Sequence, residues 1–217
     1  MSKPLISTPV IKRLPRYYRF LGELENKGIT RISSGELSLR MGFTASQIRQ
    51  DFNCFGGFGQ QGYGYNVTEL KEVIGNLLGI SNGNKIIMIG AGNLGKAIAS
   101  HIDFPQWGFR LIGIFDSNPE ICGQAISDLT ILNIDELEKF CEKNKPVCAA
   151  LCIPESSAEE LVPRLIQNGI KSFWNFSHYD FYSVDKNIIV KNVHFADSLM
   201  TIAFGLNNLD KKEEKNF

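Results

Sequence analysis

Long hydrophobic runs are missing from this sequence. Its apolar stretches are about as long as a β-strand, and none approaches the roughly 18–20 residues that a membrane helix needs. The N-terminal segment Met1-Ser2-Lys3-Pro4 opens no apolar region of the kind found in secretory leaders. We therefore expect a cytoplasmic protein without membrane association.

Cysteine and histidine are too few and too scattered to predict a metal site. The five cysteines are odd in number, and only Cys148 and Cys152 lie close together in the sequence. No histidine or further cysteine completes a metal-binding spacing around them. We expect no bound metal and reduced, mostly buried thiols at these two positions and at Cys54, Cys122 and Cys141.

A net charge of zero hides an uneven distribution of charge. Residues 1–85 carry 11 lysines and arginines against 6 acidic residues, whereas residues 86–217 carry 12 against 17. A basic N-terminal part joined to an acidic remainder indicates that only the first part meets a polyanion.

The N-terminal part predicts helices. Apolar residues recur at helical spacing from Pro9 to Lys27, where Pro15 marks either a helix start or a kink. Ser33 and Glu36 have the spacing of a capping box, which predicts a short helix through about residue 40.

A tight turn at residues 41–44 connects this short helix to another, at residues 45–54, in a helix-turn-helix pattern. Ile48 and Phe52 lie four residues apart and are expected to face the core. The other face of the second helix is either a solvated polar surface or a surface that contacts bases and phosphates. The side chains on that face are Ser46, Gln47, Arg49 and Gln50.

Residues 55–65 contain five glycines among aromatic and glutamine residues, followed by a predicted helix at residues 67–78. So many glycines exclude a helix and allow tight turns. The segment is therefore either a flexible loop or the hairpin wing of a winged helix. A wing would reach the DNA backbone or the minor groove through Gln60, Gln61 and Tyr63.

After a polar linker at residues 79–84, strands and helices alternate. Continuous apolar strands that alternate with helices predict a parallel, doubly wound sheet. The predicted fold class is α/β, with an N-terminal winged helix-turn-helix domain and a C-terminal Rossmann-type sheet. Strands are predicted at residues 85–89, 109–116, 147–153, 172–176 and 188–190, and helices at residues 94–102, 134–143 and 159–168.

A glycine-rich loop joins the first strand of this sheet to its helix, and Asp116 ends the next strand, 21 residues beyond Gly95. This context predicts a dinucleotide site. Gly90 would make the tight turn, Gly92 would admit the pyrophosphate, and Gly95 would let helix and strand pack closely. The helix N-terminus would face the phosphates. The predicted loop ligands are Gly90, Ala91, Gly92, Asn93, Leu94 and Gly95.

An acid at position 116 would bind the adenosine ribose and repel a 2′-phosphate, so we expect NAD(H) rather than NADP(H). A vestigial site or a different ligand, such as coenzyme A, is the alternative. A dehydrogenase also needs a proton relay, whereas His101, His178 and His194 are scattered and the second half leaves no room for a substrate domain. We therefore expect a protein that is not an enzyme.

Together these motifs resemble the Rex family of redox-sensing transcriptional repressors, from about Val10 to Leu206. The resemblance implies a homodimer that binds a palindromic operator on double-stranded DNA and is released when NADH binds, whereas NAD+ permits binding. It rests on the motifs at residues 13–17, 43–51, 55–65 and 90–95 and on Trp174-Asn175-Phe176.

The resemblance also implies domain boundaries and a swapped C-terminal helix that packs against the partner subunit. The apolar face of that helix is consistent with packing against the partner and equally with packing on its own subunit. The domains are residues 1–80 (winged helix), 84–195 (Rossmann, NAD(H)-binding), 196–208 (dimerisation helix) and 209–217 (charged tail).

Some residue roles follow from the resemblance alone. Phe176 is expected to line the nicotinamide pocket, and Arg13 and Arg16 are assigned to the DNA-binding set. His101 stands where the family commonly has a tyrosine and His194 where it has an aspartate, with Asp197 nearby. In the family such groups couple the cofactor state to an arginine, matched here by Arg16.

A histidine in the coupling set suggests the hypothesis of a pH-dependent response, because the unperturbed pKa of histidine lies near neutrality. Two rival functions stay open at this point. One is an NAD-dependent oxidoreductase with a small N-terminal helical domain. The other is a coenzyme A-binding module that serves as a ligase subunit.

Overall fold

The computed structural model describes residues 6–56, 59, 63–181 and 185–213. The chain divides into two compact units, Met1–Asn82 and Gly83–Phe217. Each unit has a hydrophobic core of its own, and the second unit has one on each face of its sheet.

The described residues of the first unit form four helices and a two-stranded antiparallel sheet. Its order is α1 (Thr8–Asn26), β1 (Arg31–Ile32), α2 (Ser34–Met41), α3 (Ala45–Asn53), β2 (Tyr65–Asn66) and α4 (Val67–Leu78), followed by a 3₁₀ turn at Ile80–Asn82. In the sheet, Arg31 pairs with Asn66 and Ile32 with Tyr65.

Capping residues fix where α2 and α3 begin. The Ser33 hydroxyl accepts a hydrogen bond from the Glu36 amide, and the Glu36 carboxylate accepts one from the Ser33 amide, which confirms the capping box. The Thr44 hydroxyl caps α3 through the Gln47 amide. Pro15 lies inside α1 and does not end it.

A buried carboxylate holds α3 against α1. The Asp51 side chain is 3% exposed, and its two oxygens accept hydrogen bonds of 2.7 Å from Nε and Nη2 of Arg13. Its Oδ2 also accepts a bond of 2.8 Å from the Tyr17 hydroxyl. Burial and this carboxylate raise the pKa of Tyr17, so the phenol stays a neutral donor. The charge of Asp51 is therefore tolerated because it is fully paired.

The second unit is a seven-stranded sheet in the order β5-β6-β4-β3-β7-β8-β9. All neighbours are parallel except β5, which is antiparallel to β6 at one edge. The strands are β3 (Asn84–Ile89), β4 (Phe109–Asp116), β5 (Ala125–Ile126), β6 (Leu129–Asn133), β7 (Cys148–Leu151), β8 (Ser172–Asn175) and β9 (Ile189–Asn192).

Four helices are formed by the part of this unit that the structure describes, and the sheet divides its core. Counted along the chain, the parallel strands run 3-2-1-4-5-6, the order of a Rossmann sheet, with the topological switch between β3 and β7. Residues of α6 and α7 belong to one core and those of α5 to the other. The helices are α5 (Asn93–His101), α6 (Leu137–Asn144), α7 (Glu155–Gln167) and α8 (Phe195–Glu213), with 3₁₀ turns at Pro105–Trp107 and Ile134–Glu136.

Two predicted helix limits are wrong. The last helix does not end at residue 208 with a charged tail from 209, because α8 continues to Glu213. Residues 209–213 contain neither glycine nor proline, and lysine and glutamate favour helix. The helix predicted from residue 159 begins four residues earlier, at Glu155, directly after Pro154 at the N-cap.

Substitution of the buried carboxylate should destabilise the first unit selectively. Asp51→Ala should lower its free energy of unfolding by about 3 kcal/mol, because it leaves Arg13 and Tyr17 without their acceptor. Urea titration followed by far-UV circular dichroism would measure the loss. Both tryptophans, Trp107 and Trp174, lie in the second unit, so their fluorescence would report that unit separately.

Glu138→Ala is the matched control for Asp51→Ala. It removes a carboxylate that is 45% exposed and paired with Arg164, and it should cost about 1 kcal/mol or less. Equal losses of free energy of unfolding in the two variants would contradict a central role for the bonds of Asp51 to Arg13 and Tyr17.

Candidate functional site

The turn between β3 and α5 is built on glycines that no other residue can replace without distortion. Gly90 has a φ of +96°, and a Cβ there would collide with the carbonyl oxygen of Cys152. A Cβ on Gly95 would collide with the carbonyl oxygen of Gly90. The two positions therefore let α5 start directly over the end of β3.

Gly92 differs from the other two glycines of the loop. It has an extended backbone, and a Cβ built on it meets no atom within 4 Å. Its lack of a side chain is therefore not required by the fold. Gly92 borders a cavity of about 220 Å³ at the carboxyl ends of β3, β4 and β7, where ligands bind in sheets of this type.

The N-terminus of α5 faces this region without a side-chain cap. Gly92 is the N-cap residue, and no side chain bonds to the first-turn amides. Free amides and the positive end of the helix dipole make such a terminus suited to a phosphate group. Asn93 and Leu94 open the helix and are exposed, whereas Ala91 is buried in the turn.

Asp116 lies at the end of β4 and borders the same cavity. Its Oδ2 accepts a hydrogen bond of 2.7 Å from the Ala91 amide, and its Oδ1 accepts one of 2.8 Å from the Asn118 amide. Each carboxylate oxygen keeps a further lone pair for a ligand hydroxyl. The carboxylate thus also fixes the glycine turn, a role that sequence analysis missed.

Phe176 follows β8, two strands along the sheet from β3, and does not border the cavity around Asp116. Its ring lies edge-on to Trp174 at 4.8 Å between centroids. It also lies nearly parallel to the ring of Phe195, in the first turn of α8, at 6.1 Å and 26°.

A buried polar network shapes the loop that carries Phe176, and sequence analysis missed it. The side-chain oxygen Oδ1 of Asn175 accepts hydrogen bonds from the backbone amide and the hydroxyl of Ser177. Its amide nitrogen donates to the carbonyl oxygen of Tyr179 and to the Asn192 side chain. Asn175 and Ser177 are 1% and 3% exposed, so this loop is firmly held.

The residues predicted for coupling are distributed over both units. His194 precedes α8 and its ring contacts that of His178, which was outside the predicted set. Asp197 is exposed in the first turn of α8, and His101 is exposed at the end of α5. Arg16 belongs to the first unit, where its guanidinium lies 4.8 Å from the centroid of the Phe43 ring.

The outer face of α3 is polar and largely solvent-accessible. Ser46, Arg49 and Gln50 are exposed and Gln47 is half-buried, while Ile48 and Phe52 are buried. Nη1 of Arg49 donates a hydrogen bond to the hydroxyl of Ser34 at 3.0 Å.

The structure places the remaining residues predicted to contact DNA in different surroundings. Tyr63 is 71% exposed, with the Arg31 guanidinium 5.9 Å from its ring centroid. Gln60 and Gln61 lie outside the described residues. Arg13 is bound to Asp51, so its guanidinium has a structural partner within the first unit.

The cysteines are free thiols. Burial raises the pKa of Cys152 to about 12, and burial together with Glu138 raises that of Cys141 to about 11. Both therefore stay neutral near pH 7. Within the described ranges, no three His, Cys, Asp or Glu side chains gather as a metal site would require. The helices described there include none long and apolar enough to cross a membrane.

Two family models match the chain. Residues 5–53 match the family described as "Putative DNA-binding protein N-terminus". Residues 81–179 match the family described as "CoA binding domain".

Curated relatives cover nearly the whole chain. A redox-sensing transcriptional repressor Rex from Clostridium perfringens is 50% identical over 211 residues, which are 97% of this chain and 99% of that protein. The Rex repressor from Clostridium novyi is 48% identical over 96% of this chain and 99% of its own length.

Two solved structures are also similar to nearly the whole chain. RSP in complex with β-NAD+ and operator DNA is 48% identical, with a TM-score of 0.88 over 97% of this chain and 96% of that chain. RSP in complex with β-NADH is 45% identical, with a TM-score of 0.88 over 97% and 98%. With about half of its residues identical over almost its full length, this chain belongs to the Rex family of redox-sensing transcriptional repressors.

Proposed function

We propose that this protein is a transcriptional repressor that binds a palindromic operator through its first unit and is released when NADH binds its second unit. The observation that carries the proposal is the match, over nearly the full chain, to one repressor fold solved both with NAD+ and operator DNA and with NADH. The nucleotide then serves as a signal rather than as a reagent.

The glycine turn supports NAD(H) as the effector. Gly92 leaves open space beside the N-terminus of α5, where a pyrophosphate would receive the first-turn amides. The Asp116 carboxylate would accept hydrogen bonds from the ribose hydroxyls and repel a 2′-phosphate. Because a coenzyme A site gives this acid no evident role, Asp116 favours the dinucleotide.

The outer face of α3 supports operator recognition. Glutamine side chains pair with adenine and arginine with guanine in the major groove. Gln47, Arg49 and Gln50 offer both chemistries from one helix, and Tyr63 extends the surface near β2. Gln60 and Gln61 complete the proposed set, together with Ser46 and Arg16. We give Arg13 a positioning role, because Asp51 binds its guanidinium.

An exposed apolar helix supports a homodimer. Leu199, Ile202, Phe204 and Leu206 on α8 are each more than half exposed, which a stable monomer rarely tolerates. The same unit also has an apolar groove of about 440 Å³, bordered by Ile102, Phe104, Trp107, Phe109 and Trp174 among others. We propose that packing of α8 against the partner subunit covers these surfaces.

We further infer that the protein catalyses no reaction and acts in the cytoplasm, where its operator lies. The relatives named as repressors support the absence of catalysis.

Fluorescence anisotropy of a labelled palindromic operator tests the proposal, and Gly92→Ala makes the test specific. The wild-type protein should leave the operator when NADH is added and stay when NAD+ is added. Gly92→Ala should stay on the operator in both cases, with an NADH affinity at least about tenfold lower, because its methyl group occupies the path of the pyrophosphate.

The thermal midpoint of Gly92→Ala should equal that of the wild type, because the methyl group meets no protein atom. Gly95→Ala is the contrasting variant, since its methyl group collides with Gly90 and should lower the midpoint. NADH release by Gly92→Ala at wild-type concentrations would contradict this site.

Replacement of Phe176 should narrow the preference for NADH over NAD+. An aromatic and apolar surface accommodates the neutral reduced ring better than the cationic oxidised ring. Phe176→Ser should therefore reduce the ratio of the two dissociation constants, measured by isothermal titration calorimetry. Tyr179→Ser, which alters a half-buried aromatic residue of the same loop, is the comparison. An unchanged ratio in Phe176→Ser would remove Phe176 from the nicotinamide pocket.

Truncation of Arg49 should weaken operator binding by about 1–3 kcal/mol and relax sequence preference. The loss should be larger on the operator than on an unrelated duplex of equal length, as measured by anisotropy at several salt concentrations. Arg110→Ala, in the second unit, removes the same charge and should leave the operator affinity unchanged. An equal loss on both duplexes, with a shallower salt dependence, would instead identify a phosphate contact.

A further inference from the structure

Two histidine rings meet beside the first turn of α8. The Nδ1 atoms of His178 and His194 are 2.8 Å apart, and their ring planes differ by 23°. The ring centroids are 4.9 Å apart, much farther than the nitrogens, so the rings meet edge to edge. This geometry is that of a hydrogen bond between two imidazole nitrogens.

Such a bond sets a limit on the number of protons the pair holds. One Nδ1 must carry the hydrogen and the other must accept it. When one ring is protonated, its Nδ1–H still donates to the neutral partner, and the bond is then charge-assisted. When both rings are protonated, both Nδ1 atoms are donors and the bond is lost.

The bond connects two segments that are fixed elsewhere. His178 lies in the loop held by Asn175, with a left-handed backbone of φ +64° that only a few residue types adopt readily. His194 directly precedes α8, and its carbonyl oxygen accepts a hydrogen bond from the Asp197 amide. Phe176 and Phe195 make a second contact between the same segments.

We propose that the His178–His194 hydrogen bond is a proton-sensitive link between the loop that carries Phe176 and the first turn of α8. This inference rests on the proposed function, because Phe176 is the residue we assign to the nicotinamide and α8 the helix we assign to the dimer. Through this hydrogen bond, a nucleotide bound beside Phe176 affects the position of α8. A second proton breaks the bond and thereby weakens the response to NADH.

Four charged side chains lie near the pair. Asp180, Asp185 and Lys186 border the same cavity of about 710 Å³ as both rings, and Asp197 lies in the first turn of α8. The charged side chains near the pair are thus three carboxylates and one ammonium group. The phenol of Tyr179 also borders this cavity.

His178→Asn should keep a hydrogen bond to His194 and remove its dependence on pH. The δ atoms of asparagine occupy the same position in the side chain as Nδ1 of histidine, and asparagine tolerates a left-handed backbone. Its amide can donate to a neutral His194 or, after a flip, accept from a protonated one. His178→Gly keeps the backbone conformation and removes the bond.

The measurement is the NADH concentration that releases half of the labelled operator, at about pH 7.5 and about pH 5.5. For the wild type it should rise about fivefold at the lower pH, the factor that one hydrogen bond of ordinary strength supplies. His178→Asn should change less than about twofold over this range, and His178→Gly should need about fivefold more NADH at both pH values. A flat wild-type profile, an Asn variant with the wild-type profile, or a Gly variant that matches the wild type near neutral pH would overturn the proposal.

Nuclear magnetic resonance tests the link independently of DNA. In ¹⁵N-labelled protein, a scalar coupling between the two Nδ1 nuclei should be present near neutral pH and disappear on acidification. Absence of this coupling near neutral pH overturns the link. If the coupling is present but NADH releases no operator at any pH, the proposed function fails while the hydrogen bond stands.

Discussion

The second unit depends on one close contact between two stretches of backbone. The carbonyl oxygen of Gly90 lies where the Cβ of residue 95 would be, so α5 can start over the end of β3 only because both positions are glycine. This contact aims the free amides of the first turn of α5 at the crevice between β3 and β7. Asp116 then fixes the turn from the neighbouring strand through the Ala91 amide. The anion site and its acidic neighbour therefore arise from the same packing constraint.

In the first unit the constraint is different, because α3, the proposed recognition helix, is short and would not be stable alone. The nine residues of α3 keep their polar face free for solvent or DNA, so their attachment to the unit relies on the opposite face. Ile48 and Phe52 supply apolar contacts, and Asp51 adds a directional bond to Arg13 and Tyr17 on α1. A buried ion pair of this kind contributes orientation more than net stability. Its place beside Arg49 and Gln50 in the sequence suggests that it sets the angle of the reading face.

Local signals explain which features the sequence predicts. Caps, glycine turns and apolar strands act within a few residues, so Ser33, Thr44 and the strand before Gly90 are visible in the sequence alone. Strands β1, β2 and β5 are two residues long and leave no alternation to recognise. The Arg13–Asp51 pair and the Asn175 network join residues that the chain topology brings together. No pattern of sequence spacing predicts these contacts. The sequence predicts the end of α8 too early, because charged residues such as lysine and glutamate also favour a helix that other contacts nucleate.

The distance between Phe176 and the Asp116 cavity bears on how a dinucleotide would signal. The adenosine half would meet the rigid glycine turn, which has the same contacts for either oxidation state. Phe176 lies two strands away, on the loop after β8. Its ring contacts Phe195 in the first turn of α8, and His178 of the same loop contacts His194, directly before α8. A ligand shifts an equilibrium only through a difference in affinity between two states. NADH and NAD+ differ only at the nicotinamide. With Phe176 assigned to the nicotinamide pocket as proposed, that difference would act on the loop after β8, and the contact with Phe195 would pass it to the proposed dimerisation helix.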